Sequence, residues 1–118
     1  MANRMKKICL LVLLCSIVTA EPGRVIDGDT FEAKMTLWPN LYVVERVRVL
    51  GVDTPEMKAP TLEAARQAQQ FTQAWLAKGP ITVEVCKRDN FGRVLGTVTR
   101  GQENLATELI KAGFGVSR

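Results

Sequence analysis

Three clusters in this 118-residue chain carry side chains that could do chemistry together: Asp27-Gly28-Asp29-Thr30, Arg48 through Glu56, and Asp89-Asn90-Phe91-Gly92-Arg93. In the middle cluster, Val47, Val49 and Val52 around Leu50 and Gly51 read as an apolar strand that breaks at Asp53-Thr54-Pro55 into a polar turn carrying Glu56. Pro55 fixes its own φ, biases Thr54 towards extended geometry and withholds an N–H from any ladder. Asp53 and Glu56 are therefore expected just outside the sheet. Arg48 would lie roughly 16 Å from Asp53 along a straight strand, and closer if Gly51 bends it. Two carboxylates and a guanidinium are thus tied to one strand end. The chain contains no histidine, which excludes Ser-His-Asp and Cys-His catalysis, histidine zinc sites and a histidine base. Any hydrolysis must use carboxylates, arginines and a hard metal ion.

Residues 1 to 20 read as a secretory signal. Arg4, Lys6 and Lys7 precede an apolar run from Ile8 to Val18, and Val18-Thr19-Ala20 offers small or branched residues for cleavage after Ala20. A run of eleven residues is short of the roughly 20 that span a bilayer. The expected product is a secreted or periplasmic domain, residues 21 to 118, with no membrane association after cleavage. Arg4, Lys6 and Lys7 leave with the signal while no acid does, so 13 basic and 12 acidic residues remain and the net charge falls from +4 to +1. The basic balance is then a targeting feature, and phosphate binding must come from local clustering. Of the cysteines only Cys86 stays, expected half-buried and inert. One cysteine closes no intramolecular disulfide, so the domain is expected to rest on its core.

The elements that position the clusters can be read in order. Arg24 to Ile26 is a strand cut by the Asp27-Gly28 turn, where Gly28 can take a positive φ. Phe31, Ala33, Met35 and Leu37 alternate with polar residues as a half-buried strand, and Leu41 to Val52 is a third. After Pro60 the period changes. Ala64, Ala68, Phe71 and Trp75 form an apolar stripe, predicting a helix from Thr61 to Lys78 with Thr61 as its cap and Gly79-Pro80 as its stop. Ile81 to Cys86 is a fourth strand, Lys87 to Gly92 a polar hairpin loop and Arg93 to Thr99 a fifth strand. Asn104 offers a cap for a short helix, lined by Leu105, Leu109 and Ile110 and ended by Gly113. Five short strands with a helix between the third and fourth, and a short second helix at the C-terminus, predict an α+β domain: a Greek-key barrel of OB type with binding loops on one face.

The three clusters, in this order and with this spacing of Arg48, Asp53 and Glu56, resemble the signature of the staphylococcal (micrococcal) nuclease family, over Val25 to Val116. The resemblance implies that Asp29, Asp53 and the main-chain carbonyl of Thr54 hold calcium. An all-oxygen site between two repelling carboxylates suits such a hard ion. It implies further that Glu56 activates or orients the attacking water and that Arg48 and Arg93 clamp the scissile phosphate, a task for which the planar, permanently charged guanidinium is suited. The implied substrate is nucleic acid, DNA or RNA, handled by a monomer with no stable protein partner.

The chain departs from the family pattern at Asn90 and Phe91, where a lysine and a tyrosine are usual. Lys87 and Arg88 stand close enough to replace the charge, and with Phe91 they are candidate substrate contacts. The family also continues, past the counterpart of Arg118, with base-contacting tyrosines and a third helix. Two other readings stand beside the nuclease: an OB module that binds nucleic acid or oligosaccharide without cutting, and a structural domain with a vestigial site.

Overall fold

The computed structural model describes residues 16–118, so most of the expected signal segment lies outside the described residues. Eight strands and two helices follow in order: β1 (Ser16–Asp27), β2 (Thr30–Trp38), β3 (Leu41–Val49), β4 (Val52–Asp53), α1 (Leu62–Leu76), β5 (Ile81–Arg88), β6 (Val94–Arg100), β7 (Glu103–Asn104), α2 (Leu105–Lys111) and β8 (Val116–Ser117). β3, β2, β1, β5 and β6 pair in that order, and a parallel pairing of β3 with β6 closes the ring into a five-stranded barrel. This is the expected OB-type architecture. Closure leaves no long free edge and puts alternate side chains inside.

The core follows from that alternation. Phe31, Ala33 and Met35 of β2, Val47 and Val49 of β3, Val83 of β5 and Val98 of β6 are buried, with Trp75 and Leu76 of α1 and Leu105 and Leu109 of α2 closing over them. Leu37 does not join them. The β2–β3 ladder runs past the end of the barrel, where no element among the described residues covers that position, and Leu37 is exposed. β1 is likewise longer than its expected core of Arg24 to Ile26, since Ser16 to Ala20 pair with Val85 to Ile81 of β5. Ala20 is buried there, opposite Met35 and Ile81. The expected cleavage position therefore lies within a paired strand.

Helix α1 buries Ala65, Ala68, Thr72, Trp75 and Leu76. The stripe is offset from the expected one: Ala64 faces solvent, and Thr72 takes an inward place. Thr61 precedes the helix without capping it by its side chain, because its hydroxyl donates to the carbonyls of Glu56 (2.6 Å) and Lys58 (3.0 Å) instead. Asn104 does cap α2, accepting from Thr107 N at 3.2 Å, and Gly113 ends it at φ 82°. Phe71 is partly buried and stacks on Phe114 with ring centroids 5.4 Å apart. β5 extends through Lys87 and Arg88, which shortens the expected hairpin loop. Cys86 is exposed and disulfide-bonded, and its partner lies outside the described residues. Its place at the end of the apolar alternation predicts a half-buried, inert thiol; it is exposed instead because the outer half of β5 runs past the core. Among the described residues no helix is long and apolar enough to cross a membrane.

Candidate active site

The first piece of the site is the turn between β1 and β2. Asp27 pairs with Thr30 across it, and Asp27 Oδ1 accepts from Asp29 N at 3.1 Å, a local side-chain-to-backbone bond that tightens the turn. Gly28 is required here for space. A Cβ on it would meet Ala68 Cβ at 2.7 Å and Thr54 Cγ2 at 2.8 Å, so the absent side chain lets α1 and the Asp53-Thr54 segment close on the turn. Helix α1 secures the same backbone through Thr72 Oγ1, which donates to Gly28 O, and through Gln69 Nε2, which donates to Val25 O at 3.1 Å.

The second piece is the sharp return at Leu50-Gly51, where Gly51 adopts φ 94°. In place of the long separation of a straight strand, Arg48 and Asp53 meet in an ion pair. Arg48 is buried, and its guanidinium is held on several sides. Nη1 donates to Val49 O (2.6 Å) and Val52 O (2.8 Å), while Nη2 bonds Asp53 Oδ1 and lies 3.4 Å from Asp29 Oδ2. Asp29 Oδ2 also accepts from Thr54 N at 3.0 Å, and Asp29 Oδ1 from Thr30 Oγ1 at 3.2 Å. Asp29 is thus brought together with Arg48, Asp53 and Thr54, 19 to 25 positions further along the chain.

The electrostatics follow the contacts. Burial and the facing Asp29 push the Asp27 carboxyl up to about 6. Burial pulls Asp29 the same way, but the hydrogen bond from Asp27, the Thr54 N–H and the Arg48 charge outweigh it and hold Asp29 below its ordinary value. Asp27 thus holds its proton more readily than Asp29, and the Asp29 carboxylate faces Arg48.

Arg93 stands one residue before β6, whose Val94 pairs with Val47. Its Nε donates to Asp89 Oδ2 at 2.6 Å, its backbone N to Asp89 Oδ1 at 2.9 Å, and its Nη1 to Thr30 Oγ1 at 3.4 Å. Through Thr30 it joins the network around Asp29. Arg48 and Arg93 line one cleft of about 370 Å³ between the β3–β4 return and the β5–β6 hairpin, with Lys87, Phe91 and Arg118. Sequence reasoning missed Asp89 as the residue that fixes Arg93, although an acid four positions earlier in a hairpin loop is a readable signal. It missed Arg118 as well, whose Nη1 lies 3.0 Å from Asp53 Oδ1 because β8 pairs with β4; only the fold could show that.

The remaining candidates are placed less centrally. Glu56 is exposed, its carboxylate 2.9 Å from Lys58 Nζ, and it does not line the cleft. Arg88 turns away to ion-pair with Glu45 and donates to Gly92 O at 3.0 Å. Phe91 is 82% exposed, with the Arg93 guanidinium 5.4 Å from its ring centre.

Among the described residues no group of three or more histidine, cysteine or acidic side chains forms a metal cluster. The donor set here is smaller: the Asp29 and Asp53 carboxylates, which both reach Arg48 Nη2, with Thr54 Oγ1 buried and lacking a hydrogen-bond partner. All-oxygen donors of this kind fit a hard cation, which completes its shell of 6–8 oxygens with carbonyls, water and substrate.

The class defined here is a closed OB-type barrel with two carboxylates and two arginines gathered near one end, and forked guanidinium donors are suited to oxyanions. The family model described as staphylococcal nuclease homologue matches residues 46–117. The chain belongs to this family. It is 35% identical over 96 residues to a thermonuclease of Staphylococcus intermedius, covering 77% of this chain and 54% of that protein. It is 31% identical over 86 residues to an uncharacterized endonuclease of Escherichia coli, covering 73% and 51%. It is also 35% identical over 78 residues to Protein ParB of Escherichia coli, covering 66% and 40%. The chain spans about half the length of the curated relatives it matches. The family match contains Arg48, Asp53, Thr54, Glu56 and Arg93; Asp29 lies ahead of it and is brought in by the barrel.

Proposed function

We propose that this chain is an exported, calcium-dependent nuclease that hydrolyses phosphodiester bonds of nucleic acid, DNA or RNA. One observation carries the reading: a buried Arg48 bridges Asp29 and Asp53 and lines the same cleft as Arg93. Family membership and the names of the relatives support the reaction class, and the basic-then-apolar stretch from Arg4 to Val18 supports export.

In this reading the scissile phosphate sits between Arg48 and Arg93, whose forked donors bind its oxygens and stabilise the charge that grows as water adds. Glu56 leaves Lys58, orients the water and takes its proton. The new P–O bond forms in line with the bond to the 5′ oxygen, which departs and is protonated, leaving a 3′-phosphate. Calcium on Asp29, Asp53 and the Thr54 carbonyl would supply fixed positive charge to the phosphate. A binding module that does not cut is the second reading, and the pairing of Glu56 with Lys58 outside the cleft favours it.

Plasmid digestion separates the two. Cutting with calcium that stops with chelator, and falls by about 10²-fold or more in Glu56→Gln, is the expected result. Binding without cutting identifies the module, and metal-independent cutting would falsify the mechanism. Expression of the full-length chain and recovery of its product outside the cytoplasm test export, and retention in the cytoplasm overturns that part.

A further inference from the structure

The end of the barrel remote from the cleft carries a feature that the hydrolytic reading does not use. Residues 35–44, Met-Thr-Leu-Trp-Pro-Asn-Leu-Tyr-Val-Val, contain no charge and form the tip of the β2–β3 hairpin. Trp38 (71%), Val44 (63%), Leu41 (55%), Leu37 and Tyr42 (both 52%) are exposed on it. Apolar patches of this kind mark interaction sites. We propose that this hairpin tip inserts into the interfacial layer of a lipid bilayer with anionic headgroups.

Several observations favour a bilayer as the occupant. The tip keeps its backbone paired, Thr36 with Tyr42 and Trp38 with Leu41, and Pro39 brings no N–H, so few peptide groups lose hydrogen bonds on leaving water. From Lys34 to Trp38 the finger is roughly 13 Å long, which suits the 5–10 Å depth at which interfacial segments bury apolar side chains. Trp38 and Tyr42 are the residue types that settle at that boundary, and Lys34, with Nζ 3.8 Å from the Tyr42 ring centre, stands at the finger's base where headgroup phosphates would lie.

Thr19 pairs with Thr36, and the exposed Ile17 lies two residues nearer the tip, so it adds an apolar side chain at the same end of the barrel. A protein partner fits less well, because ten residues on a narrow convex finger fall short of the roughly 20–30 per side in a standard interface. The Thr30–Arg48 rung lies six rungs from Thr36–Tyr42 along the same ladder, so a bilayer at the tip leaves the cleft in water.

Trp38 supplies the probe. The chain has two tryptophans, and Trp75 is buried. Vesicles of phosphatidylethanolamine and phosphatidylglycerol should shift the emission of the full chain to the blue and shield Trp38 from aqueous iodide. Acyl chains brominated near the headgroup should quench it. Trp38→Ser with Leu41→Ser should weaken vesicle partition roughly tenfold or more, with an unchanged circular dichroism spectrum because both side chains face solvent. Vesicle binding with Trp38 still open to iodide would assign the membrane contact to the N-terminal run and overturn the proposal. A blue shift that follows protein concentration and sedimentation as a dimer, with no response to vesicles, would make a second copy the occupant and overturn it equally.

Discussion

Thr72 Oγ1 donates a 2.6 Å hydrogen bond to the carbonyl of Gly28, joining the middle of α1 to the turn that presents Asp29. The helix thereby positions the site without contributing a reactive group. Thr72→Val keeps the shape and leaves a buried carbonyl unmatched, which should cost about 1–3 kcal/mol in urea unfolding. Cleavage should fall with it as the Asp29 turn loosens.

Gly28→Ala tests the same junction from the other side. The added methyl would press on Ala68 and Thr54 at distances no real Cβ tolerates. A loss of about 1–3 kcal/mol is expected from overpacking, and Gly28→Ala combined with Ala68→Gly should recover part of it. Thermal melts of the single and double variants make the comparison.

Arg48→Met removes the charge that partners a buried carboxylate. Asp29 would be left without its cation, a defect that typically costs about 3–5 kcal/mol. Arg48→Lys should retain more of the stability but little of the activity, because a point charge cannot reproduce the fork that reaches Val49 O, Val52 O and Asp53 together. Unfolding and cleavage measured side by side separate the two effects.

Asp89 accepts from the backbone N–H groups of Phe91 and Arg93 and from the Arg93 guanidinium. Although desolvation acts against ionisation, these bonds lower its pKa below the ordinary 3.8. A depressed carboxyl stabilises the fold fully above the unfolded value, and that contribution disappears as pH falls through the folded one. The hairpin should therefore loosen in acid below about pH 3.8. Asp89→Asn should flatten this part of the stability profile, as read by thermal melts at stepped pH.

Phe91 stands open above Arg93 at the cleft. Phe91→Ala should weaken binding of single-stranded oligonucleotide by about 1–3 kcal/mol if a base stacks on the ring. Equilibrium binding with calcium replaced by an inert divalent ion measures this without turnover.

What the sequence disclosed was what lies close along the chain. Arg48, Asp53 and Thr54 are six positions from end to end, and the Gly51 bend that joins them was readable. Asp29 was legible as a motif, but its contact with Thr54 depends on a glycine chosen for space, and no turn rule distinguishes that from a glycine chosen for φ. Alternation along β2 was right for Phe31, Ala33 and Met35 and failed at Leu37, because periodicity says which face a residue takes and not where the barrel stops. The α1 stripe slipped because Ala64 and Ala65 are equivalent by type, and only packing chooses between them. The preference of Glu56 for Lys58 and the approach of Arg118 to Asp53 are products of the turn geometry and of β4–β8 pairing.

The parallel seam between β3 and β6 joins Val47 to Val94, positions 47 residues apart. Pairings so distant in the chain close late, since the entropy of the intervening loop must be overcome before any contact rewards it. The rungs flanking Arg48 and Arg93 belong to this seam, so the two guanidinium groups come to line one cleft only once this long-range pairing has formed. A chain in which this seam is still open consequently has no assembled cleft.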